Sequence, residues 1–566
     1  MSVDSLTLPA GRFARFLAFF ARSHVGAVFA LLILCAAAFA PGFVTMPPMD
    51  RDEPRFAQAS KQMLESRDFI DIRFQDEARH KKPVGIYWLQ VASVSIGEAL
   101  GVPEARVSIW LYRIPSLIGA IGAVLLTYWA ALAFGDRRLA LLAGAILVPT
   151  ILIGVEARLA KTDAVLVMLI VLMQGALARI WLRRRRGGTG EPGGWVLPGL
   201  FWIGFALSIL IKGPIGPMVT GLTILALVAF TRDWRWLGSL RWITGLILTA
   251  AIVAPWLITI MIETQGSFLR DSLGQDMMAK VATGKESHGA PPGTYLAVFW
   301  GTFWPMAPIV ALALPWLWRS RREAPVIFLL CWIVPTWIVF EAVATKLPHY
   351  VLPTYPAIAI ATAVALMAGG LSRARWGRHL TLLIPIIALV LPLAGFGAII
   401  YFEGTIPYLM LPMALLAAAL GWSAWKALNA RRDVDAVGLS GLAAIAVFTA
   451  IYAIGMPALP TLWPSPRLAE AARSMSCPEP LYATAGYREP SLVFLVGTTL
   501  EMTDGAGAAD FLAKGPCRMA FVDKRDEAAF QARATEIGLT PSLTTRVGGI
   551  NLNGGRELDI GVYRGP

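Results

Sequence analysis

Long apolar runs without charged residues recur along most of this chain. About thirteen of them lie between residues 25 and 457 of a sequence of 566 residues, in which only 15% are charged. A run of about 20 such residues is long enough to cross a bilayer as a helix, and helices or closed barrels alone satisfy their backbone groups in lipid. The runs therefore predict a polytopic α-helical membrane protein.

Arginine and lysine cluster in every second connection between these runs. If the N-terminus is cytoplasmic, each basic loop falls on the cytoplasmic side, as the positive-inside rule requires. The runs lie at 25–41, 114–134, 139–155, 163–182, 195–211, 215–230, 242–262, 295–317, 325–344, 350–370, 380–401, 407–425 and 437–457. The basic loops lie at 135–138, 183–194, 231–241, 318–324, 371–379 and 426–436. We therefore predict an inner-membrane protein with a cytoplasmic N-terminus.

The formal net charge of +13 does not indicate a nucleic-acid partner. A nucleic-acid binder would gather its basic residues on one soluble face. Here they form short groups between apolar runs, such as Arg183 to Arg186. We expect a membrane-embedded protein without nucleic acid.

Two segments on the predicted periplasmic side are too long to be simple connectors. The loop at 42–113 contains two stretches with helical character, Glu53 to Arg67 and Gly85 to Leu100. The first has apolar residues at helical spacing, as in a helix lying on the membrane surface. We therefore divide the chain into a transmembrane module at 1–457, which includes this loop, and a tail at 458–566.

The tail is predicted to form a small soluble α/β domain in the periplasm. Strands are expected at Leu481 to Ala485, Ser491 to Val496 and Met519 to Val522, and helices at 466–475, 508–514 and 526–537. Cys477 and Cys517 both lie in this tail. They could pair if the tail is periplasmic, because disulfides persist in oxidising compartments.

Residues suited to proton transfer gather on the predicted outer face, whereas the interiors of the runs carry almost no charge. That distribution argues against an ion-coupled transporter, which needs ionisable groups at membrane depth. Asp52, Glu53 and Arg55 follow the first run. Asp52 could be a general base for an acceptor hydroxyl, or it could simply cap a helix.

Further motifs on the same face contain lysines beside aromatic or acidic residues. Lys81 and Lys82 precede the Tyr87-Trp88 pair, and lysines at the headgroup level can hold a lipid phosphate. Tyrosine and tryptophan also anchor ordinary membrane segments, and the Lys161–Asp163 motif could be a surface ion pair. The remaining motifs are Lys212-Gly213-Pro214, Lys346-Leu347-Pro348-His349-Tyr350 and a histidine, His288, in the loop at 263–294.

In their order along residues 45 to 365, these motifs resemble those of the bacterial aminoarabinose lipid A transferase family, within the protein O-mannosyltransferase superfamily of GT-C glycosyltransferases. The resemblance does not extend to the C-terminal domain. It implies an enzyme that takes a sugar from a polyprenyl (undecaprenyl) phosphate on the periplasmic face. The acceptor would be lipid A, another envelope glycan or a protein.

The resemblance also implies roles for individual residues. Asp52 and Asp163 would be the catalytic acidic residues. Arg55, Lys81, Lys82 and Lys346 would contact the donor phosphate, and Glu53, Tyr87, Lys212 and Tyr350 would line the substrate pocket.

One position departs from the family pattern. The resemblance implies an acidic residue directly before the lysine that matches Lys82, and this acidic residue would be a divalent-metal ligand, partnered by a loop histidine that matches His288. This chain has Lys81 at that position. Either a metal still binds near His288, or the Lys81 ammonium replaces the positive charge of the ion.

Two other functional classes remain open. A lipid-linked sugar flippase would need a polar path through the spans, and the sequence contains no clear one. A non-catalytic envelope-assembly subunit would tolerate replacement of Asp52. The leading hypothesis is the transferase.

Overall fold

A computed structural model describes residues 11–49, 52–186, 194–277 and 290–565. Helices dominate the first 460 residues. In the N-terminal half they are α1 Arg12–Phe20, α2 His24–Phe39, α3 Asp52–Ser66, α4 Gly85–Ala99, α5 Ile109–Ala131, α6 Arg137–Leu147, α7 Ile151–Glu156, α8 Asp163–Arg185, α9 Val196–Lys212, α10 Ile215–Thr231 and α11 Trp242–Glu263. Further along they are Ser267–Leu269, Thr294–Thr302, Ala307–Arg319, Ala324–Ala342, Tyr355–Met367, Arg375–Leu380, Leu383–Glu403, Met410–Asn429 and Asp433–Phe448.

Each predicted apolar run coincides with helical structure. Among the described residues, eight helices are long and apolar enough to cross a membrane, and four shorter apolar helices accompany them. The run at 139–155 divides into α6 and α7 around Pro149, and the run at 295–317 divides at Pro305. Proline lacks the backbone N–H that a continuing helix needs. The helical membrane fold is confirmed, and the count of thirteen spans stays a prediction.

The loop that follows α2 contains the two expected helices. They are α3 and α4, each of 15 residues. Between them a short hairpin pairs Arg73–Phe74 with Glu77–Ala78. In α3 most residues are buried, including Phe56, Ala59 and Met63, so this helix packs against protein along much of its length.

The C-terminal segment forms a five-stranded mixed sheet with helices. The strands are β3 Leu481–Ala485, β4 Glu501–Thr503, β5 Arg518–Asp523, β6 Ser542–Asn551 and β7 Arg556–Arg564, after β1 and β2 of the hairpin, and their spatial order is β4-β3-β5-β7-β6. β3 is parallel to β4 and β5, whereas β7 is antiparallel to β5 and β6. The small α/β domain is confirmed.

One secondary-structure prediction in this domain is wrong. The segment predicted as a strand at Ser491 to Val496 is a helix, Pro490–Val496. Pro490 occupies the first helical turn, where its fixed φ favours a helix. The other helices of the domain are Pro464–Arg473, Gly505–Ala513 and Lys524–Glu536, close to the predicted positions. A disulfide joins Cys477 to Cys517.

The C-terminal domain rests on α3. Lys61 donates a hydrogen bond from Nζ to the carbonyl oxygen of Phe494 at 3.0 Å, and Gln58 Nε2 donates to Thr498 Oγ1 at 2.7 Å. The ring of Phe494 also meets Tyr112 edge-on, with centroids 5.3 Å apart. The domain therefore supports the helix that begins with Asp52.

Candidate active site

A buried ion pair between Glu53 and Arg113 fixes the first turn of α3. Glu53 accepts hydrogen bonds from Arg113 on α5, from the backbone N–H of Met49 at 2.8 Å and from that of Ala160 at 2.9 Å. Arg113 also donates to backbone carbonyls of the loop before α3. Glu53 thus ties the start of α3 to the loop between α7 and α8.

Asp52, the first residue of α3, remains accessible to water in a recess with positive surroundings. Burial by neighbouring atoms would raise the pKa of its carboxyl group. The charges of Lys161, Arg79, His349 and Arg55 outweigh that effect and hold the pKa below its ordinary value. Asp52 is therefore an ionised carboxylate at neutral pH, as a hydroxyl-orienting base must be.

Asp163, the first residue of α8, lies in a buried cluster of alternating charge. The ammonium of Lys212, at the end of α9, forms a hydrogen-bonded ion pair with its carboxylate. Glu156, at the end of α7, accepts from Lys161 Nζ at 3.1 Å. His349 lies between the two carboxylates, with ring nitrogens 3.9 Å from each.

Lys161 connects this cluster to Asp52. Burial opposes its charge, but Glu156, Asp163 and Asp52 together raise the pKa of its ammonium. Lys161 and His349 both act electrostatically on Asp52 and on Asp163. The two acidic residues therefore share one electrostatic neighbourhood.

A cavity of about 420 Å³ opens beside Asp163. Most of its polar lining comes from residues that the sequence motifs singled out, and its other walls are apolar side chains of α8, α10 and the helix Ala324–Ala342. The polar lining is Lys81, Lys82, Asp163, Lys212, His349 and Tyr350, together with Ser272, which no motif indicated. Such a cavity can hold an anionic group beside an apolar chain.

Other predicted site residues lie outside this lining. Lys346 donates from Nζ to the carbonyl oxygens of Glu341 and Val343, where it caps the end of a helix. Tyr87 is fully buried and packs on Phe56, with ring centroids 5.5 Å apart. Glu53 pairs with Arg113 as described above. His288 lies outside the described residues.

Arg55 is half-buried on the turn of α3 that begins with Asp52. It contributes to the positive potential at Asp52 but does not line the cavity. Most predicted site residues thus lie either around the cavity or in the first turn of α3, and Lys161 interacts electrostatically with an acidic residue of each place, Asp163 and Asp52.

Sequence reasoning missed three charged residues of this region. Glu156, Arg79 and Arg113 are buried, and none was assigned a role. Glu156 and Arg113 border apolar runs, where an ionisable residue needs a partner because lipid does not solvate it. That signal was available in the sequence, although it does not identify the partners.

The cluster contains donor types that bind metals but also its own cations. Ligand atoms of Glu156, Asp163 and His349 all lie within 4.8 Å of one another. However, Lys161 and Lys212 already neutralise the two carboxylates. A dication would have to displace both ammonium groups, so the described residues do not fit one as they stand. No cofactor is established.

A family model described as dolichyl-phosphate-mannose-protein mannosyltransferase matches residues 81–259. In sequence, the chain is similar to undecaprenyl phosphate-alpha-4-amino-4-deoxy-L-arabinose arabinosyl transferases. The one from Erwinia tasmaniensis is 27% identical over 322 residues, covering 55% of this chain and 54% of that protein. One from Pseudomonas aeruginosa is 26% identical over 383 residues, covering 66% of each chain. The chain therefore spans about half the length of the Erwinia relative.

In structure, the chain is similar to ArnT from Cupriavidus metallidurans crystallised with undecaprenyl phosphate. The TM-score is 0.73 at 19% identity, covering 95% of this chain and 98% of that one. The apo form of the same protein gives a TM-score of 0.71. The chain thus has the fold of that protein, including the C-terminal domain, and the resemblance predicted from the motifs is confirmed.

Proposed function

We propose that the chain is an inner-membrane glycosyltransferase that moves a sugar from a polyprenyl phosphate to a lipid A, envelope glycan or protein acceptor on the periplasmic face. The observation that carries this proposal is the cavity in which Lys81, Lys82 and Lys212 adjoin Asp163 between apolar walls. Sequence similarity to undecaprenyl-phosphate-dependent transferases supports the same substrate class.

The lysines would bind the donor phosphate. When the bond between the anomeric carbon and the phosphate oxygen breaks, negative charge grows on that oxygen. Fixed ammonium groups of Lys81, Lys82 and Lys212 stabilise the charge, and preorganised electrostatics of this kind is often the largest catalytic term. The apolar walls accommodate the first units of the prenyl chain.

Asp52 would act on the acceptor. Its carboxylate accepts the proton of the acceptor hydroxyl as that oxygen attacks the anomeric carbon, an effect typically worth about 10²–10⁴-fold in rate. A single displacement inverts the anomeric centre. Asp163 holds Lys212 and His349 in the cavity, and Arg55 adds positive potential at Asp52.

We infer that the reaction needs no divalent ion. Lys161 and Lys212 neutralise the carboxylates that would ligate one, and Lys81 contributes a further charge to the cavity. Dialysis against EDTA should leave the initial rate unchanged. A rate that falls with EDTA and returns with Zn²⁺ or Mn²⁺ would place an ion in the mechanism.

Periplasmic exposure of the C-terminal domain is part of the proposal. The disulfide between Cys477 and Cys517 supports it, because such bonds persist in oxidising compartments. The alternation of basic loops supports the same orientation.

The decisive experiment compares wild type with Asp52→Asn and Lys82→Ala at matched membrane expression. Asp76→Asn and Lys514→Ala are controls, because these two side chains are exposed and neither lines the cavity. Extracted lipid A, envelope glycans and undecaprenyl-phosphate sugars are analysed by mass spectrometry. We expect one sugar to disappear from an acceptor while its lipid-linked donor accumulates. Unchanged products in both variants would exclude the site and favour a flippase or an assembly subunit.

A further inference from the structure

A basic pocket and an apolar groove lie side by side at the end of the helix bundle opposite to Asp52. The basic pocket, of about 600 Å³, is formed where α1, α2, α5 and α6 meet. Its polar lining comprises Arg22, His24, Asp136, Arg137 and Arg138. The arginine pattern of the sequence places this end of the helices at the cytoplasmic surface.

An apolar groove of about 240 Å³ lies beside the basic pocket. Side chains of α1, α2, α6 and the helix Asp433–Phe448 line it, and all of them are apolar. The α1 and α2 side chains are Phe13, Phe16, Leu17, Ala30 and Leu34. On α6 and directly after it, the groove is lined by Leu141, Leu142, Ala145, Val148 and Pro149.

The pocket and the groove adjoin along two helices. On α1, Leu17 lines the groove and the next residue, Ala18, lines the pocket. On α6, Arg138 lines the pocket and Leu141, about one helical turn later, lines the groove. A ligand with a polar head and a continuous apolar chain can therefore occupy both.

The basic pocket keeps a net positive charge, because its one acidic residue, Asp136, offsets only one of its three guanidinium groups. Asp136 caps α6 and accepts hydrogen bonds from the backbone N–H groups of Arg138 and Leu139 at 3.1 and 3.0 Å. Within the described parts of the chain, Arg22 and Arg137 interact with the Phe19 ring and the Ala21 carbonyl oxygen, not with a carboxylate. Three guanidinium groups thus face one concave surface at the headgroup level.

Helix α1 has the character of a helix in the membrane interface. Its residues Phe16 and Phe19 are 46% and 58% exposed to the surroundings, although both are large and apolar. A short amphipathic helix with exposed aromatic side chains buries them at the boundary between headgroups and acyl chains. The groove under α1 therefore opens at the depth where an acyl chain begins.

We propose that this composite site binds one anionic phospholipid of the inner leaflet, with its phosphate in the basic pocket and an acyl chain in the apolar groove. The guanidinium groups of Arg22, Arg137 and Arg138 recognise the phosphate, since arginine binds phosphate through paired N–H donors. The groove discriminates the lipid from a free phosphate ion. This inference does not depend on the transferase activity.

Native mass spectrometry of the full chain in a neutral detergent tests the proposal. The probes are palmitoyl-oleoyl phosphatidylglycerol and phosphatidylcholine with the same acyl chains. We expect one tight phosphatidylglycerol site and no equivalent phosphatidylcholine site. The triple variant R22Q/R137Q/R138Q should bind phosphatidylglycerol about 100-fold more weakly, from the usual contribution of a basic residue near an anionic lipid.

A matched triple variant supplies the control. R319Q/R321Q/R322Q removes three arginines from another loop on the same predicted face, so it should bind phosphatidylglycerol as wild type does. Thermal midpoints without added lipid report whether each variant is folded. Equal affinity of the two lipids, or unchanged binding in R22Q/R137Q/R138Q, would overturn the proposal.

A groove variant separates a lipid from a free anion. Gly441 lines the groove, and a Cβ there would lie 3.7 Å from Pro149, an ordinary contact. Gly441→Leu should weaken phosphatidylglycerol binding about tenfold through loss of acyl contact area, while millimolar inorganic phosphate competes only weakly with the lipid. Full displacement by phosphate together with normal binding in Gly441→Leu would mean that the pocket holds a free anion, contrary to the proposal.

Discussion

Arg113 donates from Nε to one carboxylate oxygen of Glu53 at 2.7 Å and from Nη2 to the other at 2.9 Å. Both side chains are buried, with 0% and 1% exposure. Through this pair, α5 holds the start of α3 and the loop after α7 in one arrangement. The position of Asp52 therefore depends on a residue that lies 61 positions later in the sequence.

Arg113→Met should destabilise the protein by about 3–5 kcal/mol, because it leaves the Glu53 carboxylate buried and unpaired. Arg106→Met is the control: Arg106 pairs with Glu98 at 2.6 Å, but both side chains are exposed, and such pairs contribute about 0–1 kcal/mol. Unfolding in mixed micelles gives both values. A similar decrease in the free energy of unfolding in the two variants would contradict a structural role for the Glu53–Arg113 pair.

The pH dependence of turnover should reveal the surroundings of Asp52. Positive neighbours hold the pKa of its carboxyl group below the ordinary value, so the base form persists as pH falls and kcat/KM should not decline until below about pH 4. Arg79→Gln removes one of these charges, which raises the pKa and shifts the acidic limb to higher pH. Arg73→Gln, an exposed neighbour paired with Asp71, should leave the limb in place.

His80, in the loop between α3 and α4, connects that loop to the segment after α11. His80 Nε2 lies 2.9 Å from Asp71 Oδ1, and its Nδ1 lies 3.5 Å from Asp271 Oδ2. The hydrogen bond to Asp71 is the largest cause that raises the His80 pKa, and the same contact lowers the Asp71 pKa. The imidazolium form is therefore favoured in the folded protein.

The sign of the resulting pH effect follows from these shifts. The stabilisation by His80 is complete below its unfolded pKa of about 6.5 and is lost as pH rises through the raised value. The stabilisation by Asp71 is lost only in acid, as pH falls through its lowered pKa. Hydrogen exchange in residues 267–277 should therefore be slower at pH 5.5 than at pH 8.5, after correction for intrinsic rates.

His80→Gln should abolish that difference in protection, whereas His379→Gln, an exposed histidine elsewhere, should retain it. Protection that changes with pH to the same extent in His80→Gln would show that another group titrates.

Helix positions in the membrane module follow directly from the sequence because lipid imposes length and apolarity on each span. The predicted helix at Glu53 to Arg67 begins one residue earlier, at Asp52, and the helix Gly85–Ala99 ends one residue before the prediction. The predicted strand at Ser491 to Val496 failed because β-branched and aromatic residues fit either a strand or a buried helix. This segment packs against α3 as a helix, and that tertiary contact is not visible in the local sequence.

The composition of the site was predictable in part. Lys82, Asp163, Lys212 and Tyr350 meet at one cavity, as their shared face and motif order indicated. The pairing of Glu53 with Arg113 was not predictable, since a local pattern contains no information about a partner 60 residues away. The same reason explains the position of Lys346, whose ammonium caps a helix end.

The disulfide between Cys477 and Cys517 should stabilise the C-terminal domain and leave the stability of the helical part of the chain unchanged. It closes a segment with a sequence separation of 40 residues, and removal of such a native bond typically costs about 2–5 kcal/mol. Cys477→Ala/Cys517→Ala should therefore increase the rate of trypsin cleavage after residue 458 in spheroplasts. Cys35→Ala, which changes a buried free thiol in α2, should not alter cleavage of the tail. Equal cleavage in all three proteins would argue against a structural disulfide.

The Lys212 ammonium, which pairs with Asp163, should be required for donor binding. Lys212 is at the end of α9, lines the cavity, and lies 5.8 Å from the centroid of the Tyr350 ring. Lys212→Met removes a charge-assisted contact worth about 1.5–3 kcal/mol, so the KM for the lipid-linked donor should rise by about 10–100-fold. Lys212→Arg keeps the charge and should recover much of the affinity. A wild-type KM in Lys212→Met, with normal folding, would place the donor phosphate away from this lysine and leave Lys81 and Lys82 as the phosphate-binding residues.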